Sequence, residues 1–538
     1  MTLIEYCPLP CHRGHYSAAN YTSDRALCRV IWAYFGYCLG VNIKSINSPS
    51  QLRKASMRDL HFPQHGQKIK RLLALASILS FSVFAQEASS GNDATTLAKL
   101  REATMSSDYA YARLADLTDK IGPRLSGSAG AAAAVTQVAD ALRALGLKVS
   151  LQPVKVPHWV RGLETAELVD YPGRPAGLSQ KVVLTALGSS AATPSAGLTA
   201  PVIVVHSFDE LKARAAEAKG SIVLFDVRFD QGLADSGHAG AAYGQAGMYR
   251  FGGPKVAAEM GAVAALVRSV GGADFRIAHT GATSFGNVTP IPAAAVSAED
   301  AMLMTRLSAQ GPIRLHLTLT PQTLPDADSF NVIADLPGSE KPDEIVIISG
   351  HLDSWDLAHG AIDDGAGVAA AMGAVEAIKR SGLTPKRTIR IVAWMNEENG
   401  QRGAQAYEKA FAGQINQHVA AIESDMGAGR PLGIIAGVRP EAVPLFAALS
   451  KALLPVGAAG FFRENVIGSG DLSGLEKAGV PSFEPKVDVR SYFHYHHTPA
   501  DTLDKVEPDN LRRQVAVMGL LAWYLANMPQ TPGRSLQP

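Results

Sequence analysis

His351 is followed by four aspartates within thirteen residues, Asp353, Asp356, Asp363 and Asp364, in the stretch "ISGHLDSWDLAHGAIDDGAG". Further along, "NEENG" presents Glu397 and Glu398, "ESDMG" presents Asp425, and "SYFHYHHTPADT" presents His494, His496 and His497. Imidazoles mixed with carboxylates form a borderline-hard donor set that suits zinc, with manganese or cobalt as substitutes. There is more carboxylate here than one tetrahedral ion can use, which points to two ions sharing one carboxylate. Each group also has a plainer use. An aspartate before a glycine and a helix can cap that helix, and a glutamate pair can sit on a helix dipole. His359 and His494 fit solvated loops.

What must position these residues is legible as a series of elements. "DEIVIISGH" is apolar on both faces, as a central strand covered on both sides requires. A helix over 367–380 follows, then the strand "RTIRIVAWM", a helix near 402–412 and the strand "HVAAIES". Strands alternating with helices predict a doubly wound α/β sheet. In such sheets ligands gather at the carboxyl ends of the strands, where His351, Glu397 and Asp425 all fall. Upstream, 97–147 reads as helical from its three- and four-residue apolar steps. From about 155 to 325 short β-rich runs such as "APVIVVHS" and "GSIVLFDV" suggest an inserted module, and "EPDNLRRQVAVMGLLAWYLANM" closes the chain as an amphipathic helix.

The 538 residues allow more than one domain, and a net charge of +1 offers no basic surface for nucleic acid. All four cysteines lie within the first 38 residues, at spacings that match no zinc ribbon. Lys68, Lys70 and Arg71 precede an apolar run from Leu72 to Phe84, and Val83-Phe84-Ala85 fits a cleavage site before Gln86. That run is too short to span a bilayer, which takes about 20 residues. Residues 57–85 therefore read as an export signal, and 1–56 as an over-extended start. Cleavage near Ala85 predicts a secreted or periplasmic protein with no stable membrane span. The first 85 residues hold ten Lys/Arg and three Asp/Glu, so their removal takes the net charge from +1 to −6.

The ordered motifs "GHLDSW…GAIDDGAG", "NEENG", "ESDMG" and "HHTPADT" resemble the co-catalytic zinc aminopeptidase and glutamate carboxypeptidase family, over nearly all of 97–528. The resemblance implies a zinc exopeptidase fold: a doubly wound mixed sheet with helices on both faces and an inserted β-rich protease-associated domain. On that reading 86–154 and 326–530 form the catalytic domain, 155–325 the insert and 531–538 a tail. It implies two zinc ions, with His351 and Asp425 on one, Glu398 and His497 on the other, and Asp363 bridging. Asp353 would accept the His351 ring N–H, and Glu397 would be the general base. The expected substrate is a dipeptide or short peptide, and homodimerisation is left open. Carboxypeptidase or dipeptidase and aminopeptidase readings both stand, with Arg430 and Arg490 as candidate clamps for a substrate carboxylate. A metal-free receptor-like binding protein and a glutaminyl-cyclase-like acyltransferase are the competing classes.

Overall fold

The computed structural model describes residues 94–272, 275–468 and 470–535. The early start, the export signal, the four cysteines and the last three residues of the tail lie outside the described residues.

An eight-stranded sheet organises the molecule. Its strands, in chain order, are β1 (Lys148–Val160), β2 (Gln322–Leu336), β3 (Lys341–His351), β4 (Arg387–Trp394), β5 (His418–Glu423), β6 (Pro431–Gly437), β7 (Gly460–Glu464) and β8 (Ser482–Val487). They lie in the order β1-β2-β4-β3-β5-β8-β6-β7. The central run β4-β3-β5-β8 is parallel, β1 and β2 add an antiparallel edge, and β6 pairs antiparallel with β8, so the sheet is mixed.

Alternation along the strands sends side chains into two separate cores. Val346, Ile348, Ile389, Ile391 and Ile422 face one core, whereas Ile345, Ile347, Val392, Trp394 and Ala421 face the other. The first core is covered by α1 (Tyr109–Lys120), α2 (Ala129–Ala144), α4 (Ala366–Arg380) and α6 (Pro508–Asn527), and the second by α5 (Arg402–Phe411). α3 (Ala239–Glu259) belongs to the second sheet described below. Burial on both faces is why the strands read as continuous apolar runs. α4 is alanine-rich because it is squeezed between neighbours: a Cβ on Gly373 would come 3.0 Å from the Ala110 Cβ and 3.2 Å from Val515.

Between β1 and β2 the chain builds a second eight-stranded sheet, from Glu164–Asp170 to Arg314–Leu319. Its centre is parallel, through Leu198–Val205, Ile222–Phe225, Ala264–Arg268 and Ala293–Val296, and helices including α3 alternate with those strands. The positions 155 and 325 fall inside β1 and β2, which pair along their length from Lys148↔Asp335 to Val160↔Gln322. Sequence texture misses this, because a ribbon continuing out of one sheet has the same composition as strands of the next.

The two sheets meet at packed contacts. Arg161 forms a two-pronged ion pair with Asp356, at 2.9 and 2.7 Å. A Cβ on Gly188 would lie 2.3 Å from the Trp355 ring, so only glycine permits this approach.

Candidate metal centre

The carboxyl ends of β3, β4 and β5 converge, as the switch-point geometry of α/β sheets requires. β3 ends at His351. Asp364, just before α4, ties this end to the helix: one carboxylate oxygen accepts the His351 N–H and the other the Gly367 N–H, both at 3.0 Å. Asp364 therefore has the capping role, which leaves Asp363 free of it. The loop between β3 and α4 is held from two sides. Buried Arg124 donates to the carbonyls of Gly122, Leu352, His359 and Gly360. Asp501, from "TPADT", accepts the N–H groups of Ala361, Ile362 and Asp363 at 2.9, 2.7 and 3.2 Å. Neither residue was singled out from sequence, although Asp501 lies within a motif quoted for its histidine.

Asp363 divides its two oxygens between two histidine–carboxylate pairs. Oδ1 lies 3.1 Å from His351 Nε2, which is itself 3.1 Å from Asp425 Oδ1. Oδ2 lies 3.1 Å from His497 Nε2, which is 3.0 Å from Glu398 Oε2. His496 also reaches Asp363, at 3.3 Å, and stacks on His497 with ring centres 3.6 Å apart. Among the histidines of the described residues, His497 alone lies within ion-pair distance of both Asp363 and Glu398. His494 is outside this cluster. Oε1 of Glu398 is buried and accepts no hydrogen bond, and Asp363 Oδ2 is buried and faces only the His496 and His497 imidazoles, which is the lone-pair supply a metal centre needs.

Electrostatics describe the same demand for cations. Burial alone would depress the His351 imidazolium, but the Asp425 charge and the bond to Asp363 carry its pKa well above the ordinary value. His497 is raised likewise by Glu398 against its own burial. Asp363, despite burial, is held well below the carboxylate range by His496, His351 and His497. Burial pushes Glu398 up to about 7 and Glu397 up to about 8, and it also raises Asp425. Protons or metal ions can neutralise so much buried carboxylate.

The tautomer of His351 is fixed differently from expectation. Its Nδ1 lies 3.0 Å from the backbone carbonyl of Asp353, while the Asp353 carboxylate is 3.9 Å away. That carboxylate is engaged elsewhere, because Oδ1 accepts the N–H groups of Asn396 and Glu397 at 2.7 and 3.1 Å. Oδ2 accepts the Ser126 hydroxyl. Asp353 therefore braces the turn after β4 that presents Glu397 and Glu398. Asn396 sits in that turn at φ 76°, and its side chain donates to Ser126.

His497 is set by the second sheet. Its φ is 60°, its Nδ1 lies 3.2 Å from the Thr280 carbonyl, and its own carbonyl accepts the Thr280 N–H at 2.9 Å. Next to it, His279 contacts the His496 carbonyl through Nδ1 at 3.0 Å, and burial depresses its pKa to about 3. A proton on Nδ1 of His497, shared with Thr280, leaves the Nε2 lone pair turned to Asp363 and Glu398. A cavity of about 330 Å³ opens on the cluster and is lined by Asp363, Glu397, Glu398 and Asp425 together with Tyr243 and Arg250 from α3. Arg430 and Arg490 are not among its lining residues. Arg490 is exposed and paired with Asp488, and Arg430 lines a different cavity, with Lys505. Sequence gave no signal for Arg250, which arrives from far upstream.

Among the described residues, no helix is long and apolar enough to cross a membrane. The model of Peptidase family M28 matches residues 331–522. Carboxypeptidase Q of Homo sapiens is 34% identical over 510 residues, covering 94% of this chain and 99% of that protein. The crystal structure of a peptidase M28 precursor from Shewanella amazonensis SB2B superposes with a TM-score of 0.78 at 37% identity, covering 84% of this chain and 99% of that one. The zinc aminopeptidase BSAP of Bacillus subtilis shares the fold, with a TM-score of 0.56 at 20% identity over 80% of this chain and 98% of its own. Identity that runs the length of such relatives accounts for why these strand ends look as they do: the chain belongs to peptidase family M28 and is a zinc metallopeptidase.

Proposed function

We propose that the mature protein is an exported exopeptidase that holds two zinc ions and hydrolyses dipeptides or short peptides. The observation that carries this reading is the division of Asp363 between His351–Asp425 and His497–Glu398. His351 and Asp425 would hold one ion, Glu398 and His497 the other, with Asp363 shared. Manganese or cobalt would suit the same donors. Zinc at these donors supplies Lewis acidity, lowering the pKa of water and polarising a scissile carbonyl.

The rest is done by the chain. Glu397 lines the cavity beside the donors, on the turn braced by Asp353. Burial and the neighbouring carboxylates push its pKa up to about 8 against the pull of His351, and cations at the adjacent donors would favour its carboxylate form. As a carboxylate it takes a proton from the attacking water, and it returns that proton to the leaving amine. Thr280 holds His497 in the tautomer that faces the cavity, and Asp501 and Arg124 keep the Asp363 loop in place. The complete donor set and the base favour this reading over a metal-free binding protein and over a single-zinc acyltransferase.

We assign residues 57–85 to the export signal. The insert expected over about 155–325 would be the chain that leaves β1 and returns in β2, which pair with each other. The test is purification of exported protein with its N-terminus sequenced, metal counted and dipeptide hydrolysis followed through chelation and zinc re-addition. The expected result is a start near Gln86, two zinc ions per chain and activity that is lost and restored with the metal. Zinc-loaded protein that cleaves no dipeptide would overturn the reading.

A further inference from the structure

Arg250 is nine-tenths buried, at 9% exposure, yet it has no carboxylate partner among the described residues. Its Nη1 donates to the Tyr243 hydroxyl and lies 3.5 Å from the Thr280 carbonyl and 3.4 Å from His497 Nδ1. Its guanidinium stacks over the Tyr243 ring at 5.2 Å, and Nε is buried without an acceptor. The chain makes room for it with care. Gly281 has φ 143°, and a Cβ there would lie 2.4 Å from the guanidinium carbon. A buried guanidinium without a counter-ion is costly, so buried charges are almost always paired. What Arg250 lacks is an anion, and it borders the cavity that also contains Asp363, Glu397 and Glu398.

We propose that Arg250 binds the free α-carboxylate of the peptide substrate, so that the enzyme selects substrates with an unblocked C-terminus next to the scissile bond. The guanidinium fork matches a carboxylate in shape and charge. On the far side of the site a cavity of about 430 Å³ adjoins Asp425 and is lined by Glu423, Glu484 and Lys486, with burial pushing the Glu484 carboxyl up to about 8. The inserted sheet thereby sets specificity through one side chain, and the first sheet supplies the chemistry. This inference rests on the peptidase reading and decides which end of the peptide is recognised.

The test is calorimetric binding of alanyl-leucine and of its C-terminal amide to zinc-loaded Glu397→Gln protein, which separates binding from turnover. With Arg250 present, the free acid should bind about tenfold or more tighter than the amide. In the Arg250→Met background that preference should vanish, with the amide bound as before and the zinc content unchanged. If Arg250→Met lowers zinc content, Arg250→Lys decides, because it keeps the charge without the fork and should lose most of the preference. Equal binding of acid and amide to the Arg250 protein, or a preference that survives replacement, overturns the proposal. So does an equal fall in kcat on both substrates when Arg250→Met is made in the otherwise wild-type protein with binding unchanged, which would assign Arg250 to the transition state. Wild-type protein that hydrolyses neither substrate would sink the peptidase reading, and the binding comparison would still judge Arg250.

Discussion

Glu397 and Glu398 are adjacent in sequence and differ in what they touch. Both line the cavity, and Glu398 also lies 3.0 Å from His497. Glu397→Gln should therefore keep both metals while kcat falls by about 10²–10⁴-fold, the usual worth of a general base. Glu398→Gln should lose one ion, and metal analysis beside kinetics separates the two. Normal turnover in Glu397→Gln would mean the roles are exchanged. Asp353 gives a finer test, since its carboxylate grips the Asn396 and Glu397 amides and not the His351 ring. Asp353→Asn should leave the metal count at two and lower kcat roughly 10–100-fold, the range seen for such outer contacts. Loss of the ion held by His351 would show instead that the carboxylate governs that ring. Spacing could not separate these cases, because a histidine two residues before an aspartate is within reach of both its carboxylate and its carbonyl.

The elements that carry the donors were the most legible part of the chain. The uninterrupted Ile/Val runs of β3, β4 and β5 are a direct consequence of burial on both faces, and the donors follow from where those runs stop. Thr280, His279 and Arg250 were not legible, because they reach the site through packing between sheets and share no periodicity with it. β5 also bears a titratable group at its other end. His418 is buried against Tyr407 and Phe411, and burial depresses its pKa to about 4. A histidine that prefers to stay neutral when folded adds stability above its unfolded pKa of about 6.5 and loses it as pH falls towards 4. Between pH 7 and pH 5 the loss should be about 2 kcal/mol. Urea midpoints for His418→Gln should show a pH slope shallower by that amount. An unchanged slope would show that His418 titrates alike in both states.

At the scale of the whole molecule, the two sheets are locked together beside the chemistry. Gly188 packs on Trp355, and Trp355 in turn meets the His497 ring edge-on at 5.8 Å. Gly188→Ala drives a methyl group into that ring. Overpacking of this kind costs typically about 1–3 kcal/mol. Thermal unfolding should report that loss, and titration with zinc should show one of two binding events weakened while the other is unchanged. Weakening of both events, or of neither, would mean that Trp355 does not transmit the displacement to His497.

The contact between Thr280 and His497 also has a bearing on timing. The two residues lie 217 positions apart, on parts of the chain that meet only when β1 and β2 have zipped together around the intervening sheet. Before that contact forms, the Thr280 carbonyl is not in place beside His497 Nδ1. On the proposed two-ion reading, capture of the ion at His497 would mark completed assembly. In refolding followed simultaneously by tryptophan fluorescence and a zinc-sensitive dye, the fluorescence change should come first and the final uptake of metal last.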